Sequence, residues 1–456
     1  MAQKPGIPQG TRDFSPLEVQ RRNYLMGVIK MHFERYGFMP IETPSFENSE
    51  TLLGKYGEEG DRLIFKVLNN GAYLNKVDPE VLVQQDEKLL TPQISDRALR
   101  YDLTVPFARY VVQHQNNITF PFKRYQMQNV WRADRPQKGR FREFTQCDAD
   151  VVGSTSLFQE IELIKLYDAV FTDLKLLGCT VKINNRKILA GIAEMIGAED
   201  KLIDFTVALD KLDKIGIDKV KEEMLGKGIN AAALDKLSRV FTLQGDYAQK
   251  LEVMKDLLKD SAIGMQGMDE LGFIHDQMQA LPLASTQLDL DITLARGLNY
   301  YTGCIFEVAA PAGVNMGSVG GGGRYDDLTS IFGLKDMSGV GISFGLDRIY
   351  LVMEELALFP DSVRAGVDVL FLNFGMREAQ VAVGAVFRFR ESGIKTELYP
   401  DQAKMKKQMT YADRNEIPYV VLLGEDEIKS GKLTLKNMKT GMQETLDTEA
   451  IIALLT

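Results

Sequence analysis

Between Trp131 and Asp150 the chain reads WRADRPQKGRFREFTQCDAD, and this stretch limits the possible architectures more than any other. Residues Phe122 to Val152 are predicted to form two strands around a polar loop. With Phe141 to Val152 extended, a period of two places Arg142, Phe144, Gln146, Asp148 and Asp150 on one face. A face this polar is either solvated or part of a site, and the loop favours the second reading. Arg132, Arg135, Lys138, Arg140 and Arg142 converge within one turn, and a polyphosphate needs several fixed cationic donors. Arginines at a loop and carboxylates farther along the strands can hold a nucleotide beside a small cationic substrate.

The flanking sequence supplies further elements. Ser15-Pro16 followed by Glu18 has the form of a helix start. Leu25, Val28, Ile29, Phe33 and Tyr36 then repeat at helical spacing, and Gly37 is placed to end the helix. Phe38 to Pro44 is expected to be extended, with Pro40 and Pro44 restricting it to an edge or an interface. A helix is predicted over Gln159 to Leu177 and a helical insertion over 181–285, where Lys, Asp, Ala and Leu predominate. Strand character returns at Leu288 to Leu294 and Cys304 to Val308. The glycines 320–323 read as a turn, without the G-x-G-x-x-G spacing of a dinucleotide loop. A strand and helix follow around Ser338 to Leu356. Beyond Pro360, strands and helices alternate and end in a hairpin, Lys432 to Met438 with Met442 to Leu446, predicting a separate α/β module. No role is assigned to the polar stretch Asn69 to Ala98.

Bulk properties exclude several classes. A chain of 456 residues, 45% apolar and 26% charged, is ordinary globular material. Its longest apolar runs fall far short of the ~20 residues of a membrane helix, so no membrane association is expected. The start MAQKPGIPQG has no secretory character, which makes the cytoplasm the expected location. Three scattered cysteines and three histidines offer no zinc spacing, and no metal-binding side chains are assigned. A net charge of −9 argues against indiscriminate nucleic-acid binding while leaving room for a local basic patch.

The Trp131 segment, with its strand, arginine-bearing loop and strand, resembles the second signature motif of the class II aminoacyl-tRNA synthetases. Phe38 to Pro44 resembles their first motif, which supports a dimer interface in that family, and GISFGLDRIYLV from Gly341 resembles their third. LRYDLT (Leu99 to Thr104), ARGLNYYTG (Ala295 to Gly303) and GGGRYD (Gly321 to Asp326) are similar to segments of the histidine-specific members. The resemblance spans nearly the whole chain. It implies an α+β fold: an antiparallel-sheet catalytic domain over 1–360, with motifs near 38–47, 122–152 and 339–356, and an anticodon-binding α/β domain over 365–456.

The same resemblance implies ATP-dependent attachment of L-histidine to tRNA(His), with Mg²⁺ bridging phosphate oxygens and the chain acting as a homodimer. Arg132, Arg296 and Arg348 would be the catalytic cations, and Asp134 and Arg140 would join Arg132 and Arg348 around ATP. Asp102, Thr104 and Gln146 would surround the α-ammonium of histidine, and Asp150 and Tyr301 the imidazole, with Leu103, Arg296, Tyr300 and Tyr325 completing the pocket. Asn299 departs from the aspartate more usual in the tyrosine-pair motif, and Asp134 from glutamate. Two rivals share the fold: a histidine-sensing regulatory subunit of ATP phosphoribosyltransferase, and an RNA-binding scaffold. The first would lack the C-terminal module and both would lose motif arginines; Arg132, Arg296, Arg348 and the module are present.

Overall fold

Helix Pro16–Arg35 begins at the predicted cap. The Ser15 N–H donates to Glu18 Oε2 at 2.6 Å and the Glu18 N–H to Ser15 Oγ at 3.4 Å, so two of the donors a helix start leaves orphaned are satisfied reciprocally. Gly37 takes φ +79°, a left-handed conformation that costs glycine nothing. Leu25, Ile29 and Phe33 lie on one face of the helix and are fully buried. The Phe33 ring sits 5.4 Å from that of Tyr125 and 5.8 Å from that of Phe344.

The computed structural model describes residues 4–295 and 300–456, apart from the side chains of Glu58, Glu59 and Asp213. Arg296 and Asn299 therefore lie outside the described residues. The chain divides into two compact units, one holding residues 21–360 with the chain up to Asp13, the other Phe14–Gln20 with Asp361–Thr456.

The larger unit is built on an eight-stranded sheet. Its strands are β1 (Met39–Pro40), β2 (Phe122–Trp131), β3 (Glu143–Val152), β4 (Thr180–Asn185), β5 (Gln287–Leu290), β6 (Cys304–Ala309), β7 (Gly320–Tyr325) and β8 (Gly339–Gly345), arranged in the order β1-β2-β3-β8-β7-β6-β4-β5. Neighbours are antiparallel except for the outermost pairs, β1 with β2 and β4 with β5. The two-residue β1 at the edge is what a proline-containing segment permits. On β3, Cys147, Ala149 and Val151 turn into the main core with Tyr167 and Phe171 of helix Phe158–Asp173. Gln146, Asp148 and Asp150 take the opposite face.

Three expectations require correction. The segment from 181, read as the start of a helical insertion, begins as strand β4. Val181 and Ile183 alternate into the core, fully buried, and β-branched residues at period two fit a pleated sheet better than a helix. Helices run only from Arg186 to Ala280. The helix predicted to reach Leu177 ends at Asp173, and Lys175 adopts φ +56°. The glycine run is not a turn but β7, in the interior of the sheet. A Cβ on Gly322 would meet the Gly341 carbonyl at 2.1 Å, and one on Gly320 the Tyr167 ring at 2.8 Å. Glycine here reflects close backbone approach.

Residues 69–98 fold into short helices, including Pro79–Gln84 and Glu87–Ile94 capped by the Asp78 and Asp86 carboxylates. The smaller unit has a five-stranded sheet of Thr396–Leu398, Val369–Phe371, Tyr419–Leu422, Leu433–Asn437 and Gln443–Leu446, in that spatial order. Its Val369–Phe371 strand is parallel to both neighbours and buried on both faces, as parallel strands usually are. Among the described residues no helix is long and apolar enough to cross a membrane.

Candidate active site

The β2–β3 hairpin pairs Arg124 with Asp150, Gln126 with Asp148 and Gln128 with Gln146. Directly opposed residues share a face, so the polar alternation of both strands is presented together. That face forms one wall of a cavity of about 340 Å³ in the larger unit, within the range of ligand sites. Asp102, Thr104, Arg132, Asp134, Arg140, Gln146, Asp150, Tyr300, Tyr301, Tyr325 and Arg348 all line it. Segments more than 240 residues apart in sequence thus meet at the site.

One end is acidic and buried. The Asp150 carboxylate accepts from the Tyr325 hydroxyl at 2.6 Å and pairs with Arg124 at 2.7 Å. Asp102 accepts from the Tyr56 hydroxyl (2.8 Å), the Val105 N–H (3.1 Å) and the Tyr300 hydroxyl (3.2 Å). Asp148 also lines the cavity. Burial raises the pKa of all three acids; Tyr56 and Arg132 oppose it at Asp102, and Arg124 and Tyr325 at Asp150. At Asp148 burial outweighs Arg124, Asp150 adds repulsion, and the carboxyl is pushed up to about 7. The glycines make this end possible. A Cβ on Gly341 would lie 2.0 Å from Asp150 Oδ1, and one on Gly339 would lie 2.3 Å from the Tyr325 ring.

The lining also carries arginines: Arg140 pairs with Asp134 at 3.7 Å. Arg132 donates from Nε to the Tyr101 carbonyl at 2.9 Å and lies over the rings of Tyr101 and Phe144. Arg348, in the first turn of helix Leu346–Glu355, donates to the carbonyls of Gly139 (3.0 Å) and Ser318 (2.7 Å). Carbonyl partners fix the direction in which each guanidinium points. The nearby Asp347 carboxylate is paired with Arg12 and Arg22, and Arg12 packs over Phe141.

Several expected residues stand elsewhere. Leu103 does not line the cavity: its side chain is fully buried and its carbonyl accepts from Arg124 Nη2 at 3.4 Å. An apolar side chain between two polar ones is more stable in the core. Of the loop cations only Arg132 and Arg140 reach the cavity. Arg142 turns back to the carbonyls of Asp134 and Gln9, and Lys138 pairs with Glu355. The tight turn joining Gln137 to Arg140 sends neighbouring side chains in different directions. Arg296 cannot be placed, since it lies outside the described residues.

Sequence reasoning left Asp148 without a role and overlooked Arg124, Tyr56 and the glycine strand. A signal existed for Asp148, which shares the period-two face. None existed for Tyr56, which reaches Asp102 only through the fold.

Known proteins resemble the chain over its whole length. The histidyl-tRNA synthetase family model matches residues 86–349, and the anticodon binding domain model residues 368–456. The histidine–tRNA ligase of Christiangramia forsetii is 66% identical over 98% of both chains, and that of Flavobacterium johnsoniae is 62% identical over 99% of both. The crystal structure of histidyl-tRNA synthetase from Nostoc sp. superposes with a TM-score of 0.82 over 100% of both chains, at 29% identity. With its acid-floored, arginine-mouthed cavity and these matches along its length, the chain belongs to the histidyl-tRNA synthetase family.

Proposed function

We propose that the cavity joins L-histidine to tRNA(His) at the expense of ATP in two steps. A histidine carboxylate oxygen first attacks the α-phosphorus of ATP, forming histidyl-adenylate and expelling diphosphate. A ribose hydroxyl at the tRNA 3′ end then attacks the acyl carbon, and AMP leaves. No protein nucleophile is required; the chain supplies position and charge.

The observation that carries this reading is a single cavity lined both by arginines and by three buried carboxylates. Arg132 takes the α-phosphate and Arg348 the γ-phosphate, with Arg140 beside the nucleotide and Asp134 toward adenine. Arg296 is the second clamp on the α-phosphate and substrate carboxylate. Magnesium enters as part of the ATP complex, held by phosphate oxygens and water as its coordination chemistry favours. Asp102, Thr104 and Gln146 receive the ammonium. Asp150 and Tyr301 receive the imidazole, with Tyr300 and Tyr325 behind them. A carboxylate offers about four acceptor positions, so Asp150 can serve the ring while holding Arg124 and Tyr325.

The larger unit is the catalytic domain and the smaller reads the anticodon. In the latter, Tyr399 and Tyr411 stand 5.4 Å apart beside Lys404, Lys406, Lys407 and Arg414. Aromatic faces with neighbouring cations suit unstacked RNA bases and phosphates. The chain works in the cytoplasm as a homodimer through the edge near β1. Light scattering on the purified protein tests the dimer.

The decisive assay is histidine-dependent exchange of labelled diphosphate into ATP. Absence of exchange, or equal exchange with another amino acid, would sink the reading. Loss of Arg296 (Arg296→Ala) should slow exchange severely in a folded protein; near-normal exchange removes it from its role.

A further inference from the structure

The acidic end of the cavity carries three carboxylates, and they differ in what they have left to offer. Asp150 holds an arginine and a tyrosine, and Asp102 accepts from three donors. Asp148, only 2% exposed, is held more lightly. Its side-chain partners are the Ser343 hydroxyl and Gln146 Nε2, the latter at a long 3.4 Å. The other end of the same amide, Gln146 Oε1, is buried and accepts no hydrogen bond among the described residues. An acceptor-rich carboxylate and an unsatisfied amide oxygen therefore stand side by side on the cavity wall. A buried acceptor left unsatisfied is costly, so such a pair calls for a donor from the ligand.

Charge points the same way. Facing Asp148 are Arg124 on β2, Asp150 on its own strand, Asp102 before helix Thr104–His114, Tyr301, and Tyr167 from helix Phe158–Asp173. From β7, glycines and Tyr325 line the cavity, and the strand's one charged residue, Arg324, is ion-paired with Glu160 instead. The one buried cation in this group, Arg124, is bound to Asp150.

We propose that Asp148, together with Gln146 Oε1, is a specificity-determining contact for the α-ammonium of the amino-acid substrate. This deepens the function proposed above and rests on it. Asp148 then joins Asp102 as a second carboxylate at the ammonium, and Asp150 is left for the ring. Because a neutral carboxylic acid is a poorer partner for an ammonium than a carboxylate, histidine binding strengthens as pH rises through about 7, where Asp148 ionises.

The test measures diphosphate exchange with histidine and ATP varied separately for the wild type and Asp148→Asn. Loss of one charge-assisted hydrogen bond raises the KM for histidine ~10- to 100-fold, with kcat and the KM for ATP changed less than about threefold. Asp148→Glu restores part of the loss. In the wild type, kcat/KM for histidine shows an ionisation near pH 7 that Asp148→Asn lacks, beyond the titration of the substrate imidazole seen in both. An unchanged histidine KM, or parallel losses for histidine and ATP, would overturn the proposal. Should the variant fail to fold, the wild-type profile decides: two ionisations, the substrate imidazole at ~6.5 and a second near pH 7, support the proposal, and the imidazole ionisation by itself overturns it. A wild type without histidine-dependent exchange would instead defeat the underlying reading of function.

Discussion

The two ends of the cavity solve opposite electrostatic problems. At the mouth, Arg132 and Arg348 are oriented by backbone carbonyls and partly face solvent, so their charge costs little to keep. At the floor, Asp102, Asp148 and Asp150 are almost completely buried, and their ionised forms are costly until a cation arrives. The mouth stores positive charge cheaply for a ligand that brings several negative charges. The floor holds negative charge under strain for a ligand that brings one or two positive ones, and that strain is available for selectivity. A buried polar pocket rejects ligands that leave its groups unpaired by factors that an apolar pocket cannot reach.

Mutations at the two ends should therefore have different signatures. The largest effect is expected at the mouth. Arg132→Ala should lower the exchange rate ~100- to 1,000-fold, with an unaltered circular dichroism spectrum; a loss below tenfold would mean the α-phosphate is held elsewhere. At the floor, Gly341→Ala places a methyl where Asp150 now lies. It should raise the KM for histidine by about tenfold or more, as expected for losing ~1.5–3 kcal/mol of charged hydrogen bonding, while the KM for ATP stays put. Equal changes in both would show that the ends are not independent.

Neither end should notice changes in the smaller unit. Tyr411→Ala should raise the KM for tRNA in aminoacylation about tenfold, the scale of one lost base stack, and leave histidine-dependent exchange untouched. An effect on exchange would contradict the division of labour between the units.

The smallest effect is on stability and concerns the floor alone. The Asp148 carboxyl titrates at about 7 in the folded chain, above the ~3.9 of an unfolded aspartate. The folded state holds this proton more tightly. The stability it contributes is complete below about pH 4 and is lost as pH rises through about 7. Asp148→Asn should consequently melt about 2–6 °C above the wild type at pH 8, with the gap closing toward pH 4. A variant that melts lower at pH 8 would mean Asp148 is already fully paired in the free protein.

Much of the site was legible in residue order because its motifs lie on regular elements. The β3 alternation requires only that a strand have period two, and it correctly put Gln146, Asp148 and Asp150 on one face. The helix from Pro16 was legible for the same reason: a local capping pair announces it. Failures occurred where partners are remote. The glycines of β7 look like a turn until Gly341, Ile342 and Tyr167 are brought against them. Strand β4, with a lysine and two asparagines, looked like part of a helical region until the edge of the sheet was there to pair with it.

Local chemistry in the sequence thus determined which residues could bind phosphate, which could bind a cation, and that strands and a loop would present them. The tertiary structure alone decided that Leu103 and Arg142 turn away, that Arg124 and Tyr325 commit Asp150, and that Asp148 remains open. Hydrogen-bond commitment and burial depend on the full set of neighbours within a few ångströms, and a strand's own periodicity carries no information about what will be packed across from it.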